Sequence, residues 1–324
     1  MASYKIVAGV DGGNSKTDVA IADTSGRVLG RARGAGTASP FEGVEELATN
    51  LANLIDSAKL ATGNDQPLAA AVFYLANLDL ADEEETLTSA LAPMGIATQV
   101  AVGNDTMAVL RAGTDEGWGV AVVLGTGINA IGISPTGQIE RYLGIGGVSG
   151  DWGGGHGIAV TGVGAAVRAE DGRGDTTMLT RMLPDKFGLA TAHELAVAIR
   201  RDIVTTPQVL ELTPLVFSAA ELGDAVARGI IDRQCDEVAV MITALLRRLG
   251  RLADYTPVIL GGGVARGGAR LLTGAIEQRL GDVAPLAHVQ VLDLPPVVGA
   301  VAAALDVAGA DNRAIHAVRT HVWD

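Results

Sequence analysis

Asp11-Gly12-Gly13-Asn14-Ser15-Lys16-Thr17 closes a short apolar run and combines residue types that grip anionic oxygens. Glycines let the backbone approach an anion closely, and turn amides can line a concave nest for it. Asp11, at the strand end, can hold a magnesium ion directly or through water. Taken alone, the segment serves equally well as an ordinary tight turn. A Walker-type phosphate loop needs glycine before its lysine and a helix after it. Here Ser15 precedes Lys16 and a strand-like run follows, which excludes that loop. Gly125-Thr126-Gly127-Ile128-Asn129-Ala130 imitates a dinucleotide fingerprint, but that fingerprint requires a helix to start inside it. Ile128–Ile133 alternates as a strand instead and meets Pro135-Thr136-Gly137, so a second phosphate turn fits better.

Asn104-Asp105-Thr106 ends another apolar run and opens a helix-like segment. Asn and Asp are favoured helix N-caps, so a purely structural role is open. The chemical reading makes Asp105 a carboxylate that takes the proton of a substrate hydroxyl, as phosphoryl transfer requires. Between Gly144 and Gly157 the chain places Gly150-Asp151-Trp152 among many further glycines, ahead of His156. Asp151 can bond two sugar hydroxyls and Trp152 can shape a pocket wall; capping the next helix is the plain role for Asp151. His156 has no metal partner within range in the sequence and reads as structural or as part of a rim. Gly261-Gly262-Gly263 follows a buried strand and opens a helix, allowing close approach of adenine and its ribose, or simply tight packing. Glu83-Glu84-Glu85 reads as a solvated first helical turn favoured by the helix dipole.

Strands and helices must hold these groups in place. Lys5–Val10, Asp18–Ala22 and Arg27–Arg33 read as strands, with a hairpin turn at Ser25-Gly26. Gly43–Leu60 has helical spacing, with Leu47, Leu51, Leu54 and Ile55 on one face. Leu68–Leu75 and Thr98–Val102 read as strands, and Asp82–Leu91 and Asn104–Ala112 as helices. The pattern then begins again. Trp118–Leu124, Ile128–Ile133 and Gln138–Tyr142 repeat the order strand, glycine turn, strand, turn, strand, which is an internal repeat. Helical runs follow at 158–168, 192–201, 219–231 and 236–252, the second with Thr191 and Glu194 in capping-box spacing. A strand at 257–260, a helix at 265–280, a strand at 289–292 and a helix at 298–307 complete the chain.

The chain has 324 residues, which fits about two domains. It is 48% hydrophobic, carries 43 glycines, and has few aromatics, the make-up of a tightly turned α/β interior. Its net charge of −13, with no basic stripe, argues against nucleic acid as a partner. No apolar stretch is long enough for a membrane helix, and the residues before Lys5 do not read as a signal peptide. Cys235 is the single cysteine, which excludes an internal disulfide and fits a reducing, cytoplasmic setting.

In their order along the chain these motifs resemble the actin-like sugar-kinase and ATPase superfamily. Within it they resemble the BadF/BadG/BcrA/BcrD-type group, which includes N-acetylglucosamine kinases. Asp11 through Thr17 matches the first phosphate motif and Gly125-Thr126-Gly127-Ile128-Asn129 the second. Asn104-Asp105 matches the catalytic carboxylate, Gly150-Asp151-Trp152-Gly153-Gly154 the sugar-side loop, and Gly261-Gly262-Gly263 the adenosine motif. The resemblance implies an α/β, actin-like fold of two RNase-H-like domains flanking a cleft for ATP and sugar. These would span 1–116, with 297–324 packing back on it, and 117–296. ATP would be gripped by Gly12, Gly13, Asn14, Ser15, Lys16, Thr17 and the other two glycine motifs, with Mg²⁺ held at Asp11. Asp105 would be the base for a sugar 6-hydroxyl, with Asn104, Asn129, Gly150, Asp151 and Trp152 on the sugar.

The loop Gly36-Thr37-Ala38-Ser39-Pro40 lacks the Asn that N-acetylglucosamine kinases often carry there, and Thr37 or Ser39 is the expected substitute. The implied activity is phosphorylation of an amino sugar by a homodimer. N-acetylglucosamine is the first choice, with glucosamine or N-acetylmuramate as alternatives. Two rival classes remain. An ATPase that activates a partner enzyme would share an iron–sulfur cluster between subunits and need more cysteine than Cys235 supplies. A non-catalytic, sugar-responsive regulator would have to reach DNA without a helix-turn-helix ahead of Lys5.

Overall fold

Runs of Val, Ile and Ala without polar interruption make strands that are covered on both faces, as the inner strands of a parallel sheet must be. The computed structural model describes residues 4–37 and 43–323. They divide into two compact units: Met1–Ala121, Ile131–Ile145 and Leu292–Asp324 form the first, and Val122–Ala130 with Gly146–Val291 the second.

In the first unit, Ile6–Gly12 (β1), Lys16–Asp23 (β2), Val28–Ala35 (β3), Leu68–Leu75 (β4) and Ala97–Asn104 (β5) form one sheet in the order β3-β2-β1-β4-β5. β1, β2 and β3 are an antiparallel meander, while β4 and β5 run parallel to β1. Val44–Leu60 (α1), Ala81–Leu91 (α2) and Asp105–Gly113 (α3) join the strands. α1 turns Leu47, Leu51 and Ile55 into the core, as its spacing predicts.

A second sheet contains Gly119–Leu124 (β6), Ile128–Ile133 (β7), Ile139–Arg141 (β8), Thr256–Gly261 (β9) and Ala287–Val291 (β10). Read as β8-β7-β6-β9-β10, its order matches the first sheet position for position. The repeat seen in the sequence is thus a repeat of topology, and the fold is α/β and actin-like.

The helices of the second unit are Gly154–Glu170 (α4), Leu179–Asp185 (α5), Ala192–Arg200 (α6), Thr206–Leu210 (α7), Thr213–Glu221 (α8), Ala225–Arg248 (α9) and Gly263–Leu280 (α10). Two boundaries depart from expectation. Gly223, at φ 98°, stops α8, and Asp224 caps α9 by accepting the Ala227 N–H at 2.8 Å. α9 then runs unbroken across the expected gap at 232–235, because Ile231, Gln234 and Cys235 are all buried on its inner face. α4 begins at Gly154, four residues before the expected Ile158. Its glycines are helical because their amides are held from outside the helix, as described below.

Val297–Val307 (α11) and Asn312–Thr320 (α12) return to the first unit. Every residue from Val297 to Leu305 is buried, and α11 packs on β1 and α3. The approach is too close for a Cβ on either side. A methyl at Gly9 would overlap the Val301 backbone, and one at Gly299 would overlap the Ala108 carbonyl. Arg111 of α3 pairs with Asp306 of α11 at 2.8 Å and also donates to the Thr114 and Asp115 carbonyls.

Candidate active site

Gly12, Leu75 and Asn104 are register partners, so β1, β4 and β5 end level with one another. Ligands of open α/β sheets bind at such carboxyl ends. The β1–β2 turn is closed by the Gly13 N–H donating to the Lys16 carbonyl at 2.8 Å. It is flanked on one side by Ala76, whose N–H donates to Gly12, and on the other by Thr37, whose N–H donates to Gly13. Asn77, in a left-handed conformation at φ 64°, donates to the exposed Asn14 side chain at 2.7 Å. Asp11 is half-buried at the strand end, opposite Asp18.

Two members of this turn are engaged within the protein. The buried Thr17 hydroxyl donates to Ala35 at 2.7 Å, and the Lys16 ammonium pairs with Asp18 at 2.7 Å. Burial opposes ionisation of Asp18, but hydrogen bonds from Arg33 and Lys16 outweigh it and hold that carboxyl below its usual range. Thr37 lies beside the turn, whereas Ser39 lies outside the described residues.

Asp105 is the first residue of α3. Asn104 is only 3% exposed, and its amide is fully occupied. Oδ1 accepts from the Thr106 N–H and hydroxyl, while Nδ2 donates to the Leu78 carbonyl at 3.2 Å and to Asp79 at 3.0 Å. Asn104 therefore acts as a clamp between the β4 exit loop and α3. Burial pushes the Asp105 carboxyl up to about 6, against a hydrogen bond from Thr106 that lowers it.

Asp79, four residues past the end of β4, was not singled out in the sequence. Burial, then the charges of Asp105 and Glu83, push it up to about 7, opposed by Arg141 and the Asn104 hydrogen bond. Glu83 corrects an expectation. It is 7% exposed rather than solvated, and its carboxylate accepts the Asp79 and Leu80 N–H groups at 2.6 and 2.9 Å. Glu84 pairs with Arg141 at 2.5 Å, and only Glu85 remains fully exposed.

In the second unit, the Gly125–Gly127 turn is closed by the Gly125 N–H donating to Gly127 at 3.1 Å. α4 begins against it. The Gly155 N–H donates to the Gly125 carbonyl at 2.8 Å and the His156 N–H to the Thr126 carbonyl at 2.9 Å. α10 begins nearby, since a methyl at Gly262 would overlap the Leu124 carbonyl at the end of β6. Asn129, on β7, accepts the Ala130 N–H. Asp151 accepts from the Gly146 N–H at 3.1 Å and the Ser149 hydroxyl at 2.5 Å, which fixes the loop around Gly150. The Trp152 ring lies 3.9 Å from the Arg233 guanidinium carbon.

The family model described as the BadF/BadG/BcrA/BcrD ATPase family matches residues 8–307. The chain belongs to that family. An N-acetylmuramic acid/N-acetylglucosamine kinase of Clostridium acetobutylicum is 27% identical over 261 residues, covering 80% of this chain and 85% of that protein. An N-acetyl-D-glucosamine kinase of Dictyostelium discoideum is 26% identical over 319 residues, covering 94% and 99%. Among solved structures, a Chromobacterium violaceum protein provisionally named an N-acetylglucosamine kinase superposes with a TM-score of 0.70 at 23% identity, covering 92% of this chain and 98% of that one.

A Cβ at Gly127 or Gly263 would meet nothing within 4 Å, which leaves room for a ligand against the backbone. Among the described residues no three His, Cys, Asp or Glu side chains gather in a metal-binding group. Magnesium suits such a sparse donor set, because it keeps several waters and shares carboxylate ligation with phosphate oxygens. Asp11, half-buried at the end of β1, is a single carboxylate of that kind. Cys235 is buried in α9, where burial pushes its thiol up to about 11, so it is no ready ligand for an iron–sulfur cluster. Among the described residues no helix is long and apolar enough to cross a membrane.

Proposed function

We propose that the chain is an ATP-dependent sugar kinase that transfers the γ-phosphoryl group to the 6-hydroxyl of an amino sugar, N-acetylglucosamine first. The observation that carries this reading is Asp105, a carboxyl raised to about 6 at the level ends of three parallel strands. A general base works best when its pKa lies near the operating pH, and Asp105 is ionised yet basic at neutrality. The N-acetylglucosamine kinases that align over most of this chain support the sugar assignment.

In this mechanism Asp105 orients the sugar hydroxyl and takes its proton as the phosphorus–oxygen bond forms. Asn104 positions Asp105 rather than touching sugar, since its amide is already occupied. Asp151, Asn129, Gly150, Trp152 and Thr37 are assigned to the sugar. Gly12 through Ser15, Gly125 through Gly127 and Gly261 through Gly263 are assigned to ATP, with backbone amides as the donors. Lys16 and Thr17 serve the first turn by tying it to β2 and β3. Mg²⁺, placed at Asp11, would neutralise charge on the phosphates. A cytoplasmic homodimer completes the proposal.

The test is ADP release over a panel of hexoses and amino sugars, repeated with Asp105→Asn. Sugar-dependent turnover that the substitution nearly abolishes is the expected result. Sugar-independent hydrolysis, unchanged at Asp105, would overturn the reading. Sedimentation of the purified chain checks the dimer.

A further inference from the structure

Three consecutive residues of the glycine-dense loop, Trp152-Gly153-Gly154, are held by two consecutive side chains of α9. Arg233 stacks on the Trp152 ring at 3.9 Å. Gln234 lies flat against the backbone of the next two residues. Its Oε1 accepts the Gly154 N–H at 2.8 Å, and a methyl at Gly153 would come within 2.5 Å of that oxygen and 2.7 Å of Nε2. Only the oxygen can face an N–H donor, so the orientation of the amide is fixed. Gln234 is 0% exposed, and its Nε2 has no hydrogen-bond partner among the described residues. A buried donor without an acceptor costs stability, so this glutamine does not serve the packing of α9.

What it does serve is the start of α4. The first three amides of that helix all point at acceptors outside the helix: Gly154 at Gln234, Gly155 at the Gly125 carbonyl and His156 at the Thr126 carbonyl. Gly154 itself sits at φ 66°, with no room for a Cβ beside the Gly127 carbonyl. The turn Gly125–Gly127 is therefore built against the first turn of α4, and the first turn of α4 is pinned by one buried amide on α9.

We propose that Gln234 is a positioning residue for nucleotide binding, setting the Gly125–Gly127 turn through the start of α4. This rests on the assignment of that turn to ATP. Removing the amide frees the Gly154 N–H and lets the turn shift, which weakens the grip on phosphates, whereas Asp151 and Trp152 keep their own contacts to Gly146, Ser149 and Arg233.

Gln234→Met keeps the volume and removes the pin, exchanging the orphan Nε2 donor for an orphan Gly154 N–H. Three results are expected. The variant still melts in one cooperative transition, because one buried orphan donor is exchanged for another. AMPPNP, titrated by calorimetry without sugar, binds at least fivefold more weakly. KM for ATP rises more than KM for the sugar. Gln234→Glu keeps an acceptor oxygen toward Gly154 and is expected to restore much of the AMPPNP affinity. Hydrogen exchange on Gln234→Met is expected to show faster exchange at Gly154–His156 while the rest of α9 stays protected.

An unchanged AMPPNP affinity in a folded Gln234→Met would overturn the proposal, as would equal losses in Gln234→Met and Gln234→Glu. A wild-type chain that binds AMPPNP yet phosphorylates no sugar would overturn the kinase reading while leaving the Gln234 comparison intact.

Discussion

Lowering the pH tests Asp105 directly. Its carboxyl rises from 3.8 to about 6 through burial, so at pH 5 only about one-eleventh of the molecules carry an ionised base. Turnover should therefore fall roughly tenfold between its plateau and pH 5, and by a further factor of about ten at pH 4. An ordinary aspartate at 3.8 would keep nearly all of its activity at pH 5. Asp79 titrates in the same cluster at about 7, raised first by burial and then by Asp105. On acidification Asp79 takes its proton first, and Asp105 then titrates beside a neutral neighbour. Asp79→Asn keeps an oxygen that can accept from Asn104, and it should leave the limb near 6. The assay is kcat/KM for the sugar at saturating Mg–ATP across this range, which reports the ionisations of the nucleotide-bound enzyme. A limb near 4 in the wild type would refute the desolvation of Asp105. A limb displaced below 5 in Asp79→Asn would refute the order of titration.

Asp105→Asn should stabilise the fold while abolishing transfer. A carboxyl whose folded pKa is raised costs stability progressively as pH climbs from 3.8 through 6, so at pH 7 the whole penalty, up to about 3 kcal/mol, is present and is relieved by the amide. Thermal melts at pH 7 and pH 4 check this, with the gain confined to pH 7. Gly299→Ala forces a methyl into the Ala108 carbonyl across α11 and α3, and urea unfolding should show a loss of more than about 2 kcal/mol. Chelation of divalent cations should abolish sugar phosphorylation and restore it on adding Mg²⁺; turnover that survives chelation would remove Asp11 from its assigned role.

The parts of the site that read directly from the sequence are those whose geometry is local. A glycine turn between two apolar runs, or an Asn-Asp at the junction of strand and helix, folds into the same place whatever surrounds it. The repeated three-strand meander was legible for the same reason, because each copy carries its own turns, whereas the matching places of β4, β5, β9 and β10 were seen only in the fold. Glu83 read as solvent-facing because an acidic first helical turn is usually exposed. Its burial arises from the Asp79-Leu80 backbone folding over it; Glu83 takes the N3 place of a capping box, which the sequence does not announce because the N-cap Leu80 has no side-chain oxygen. Asp79 and Gln234 stayed hidden because they sit in polar stretches, Leu78 to Glu85 and Asp232 to Glu237, whose buried members are selected by distant partners. The early start of α4 was illegible because glycine disfavours helices, and only the carbonyls of Gly125 and Thr126 with the Gln234 amide overturn that preference.

The bare backbone at Gly9 and the helix that fills it have a further consequence in time. Gly9 and its cover around Gly299 lie 290 residues apart, the difference of their two positions. At translation speeds of roughly 5–20 residues per second, β1 leaves the ribosome roughly 15–60 s before α11 exists. Through that interval the strip of the first sheet that α11 covers, beside α3, lacks its native partner. The nascent chain must be shielded there, and a message truncated before codon 297 yields a product whose first sheet has no α11 to cover it.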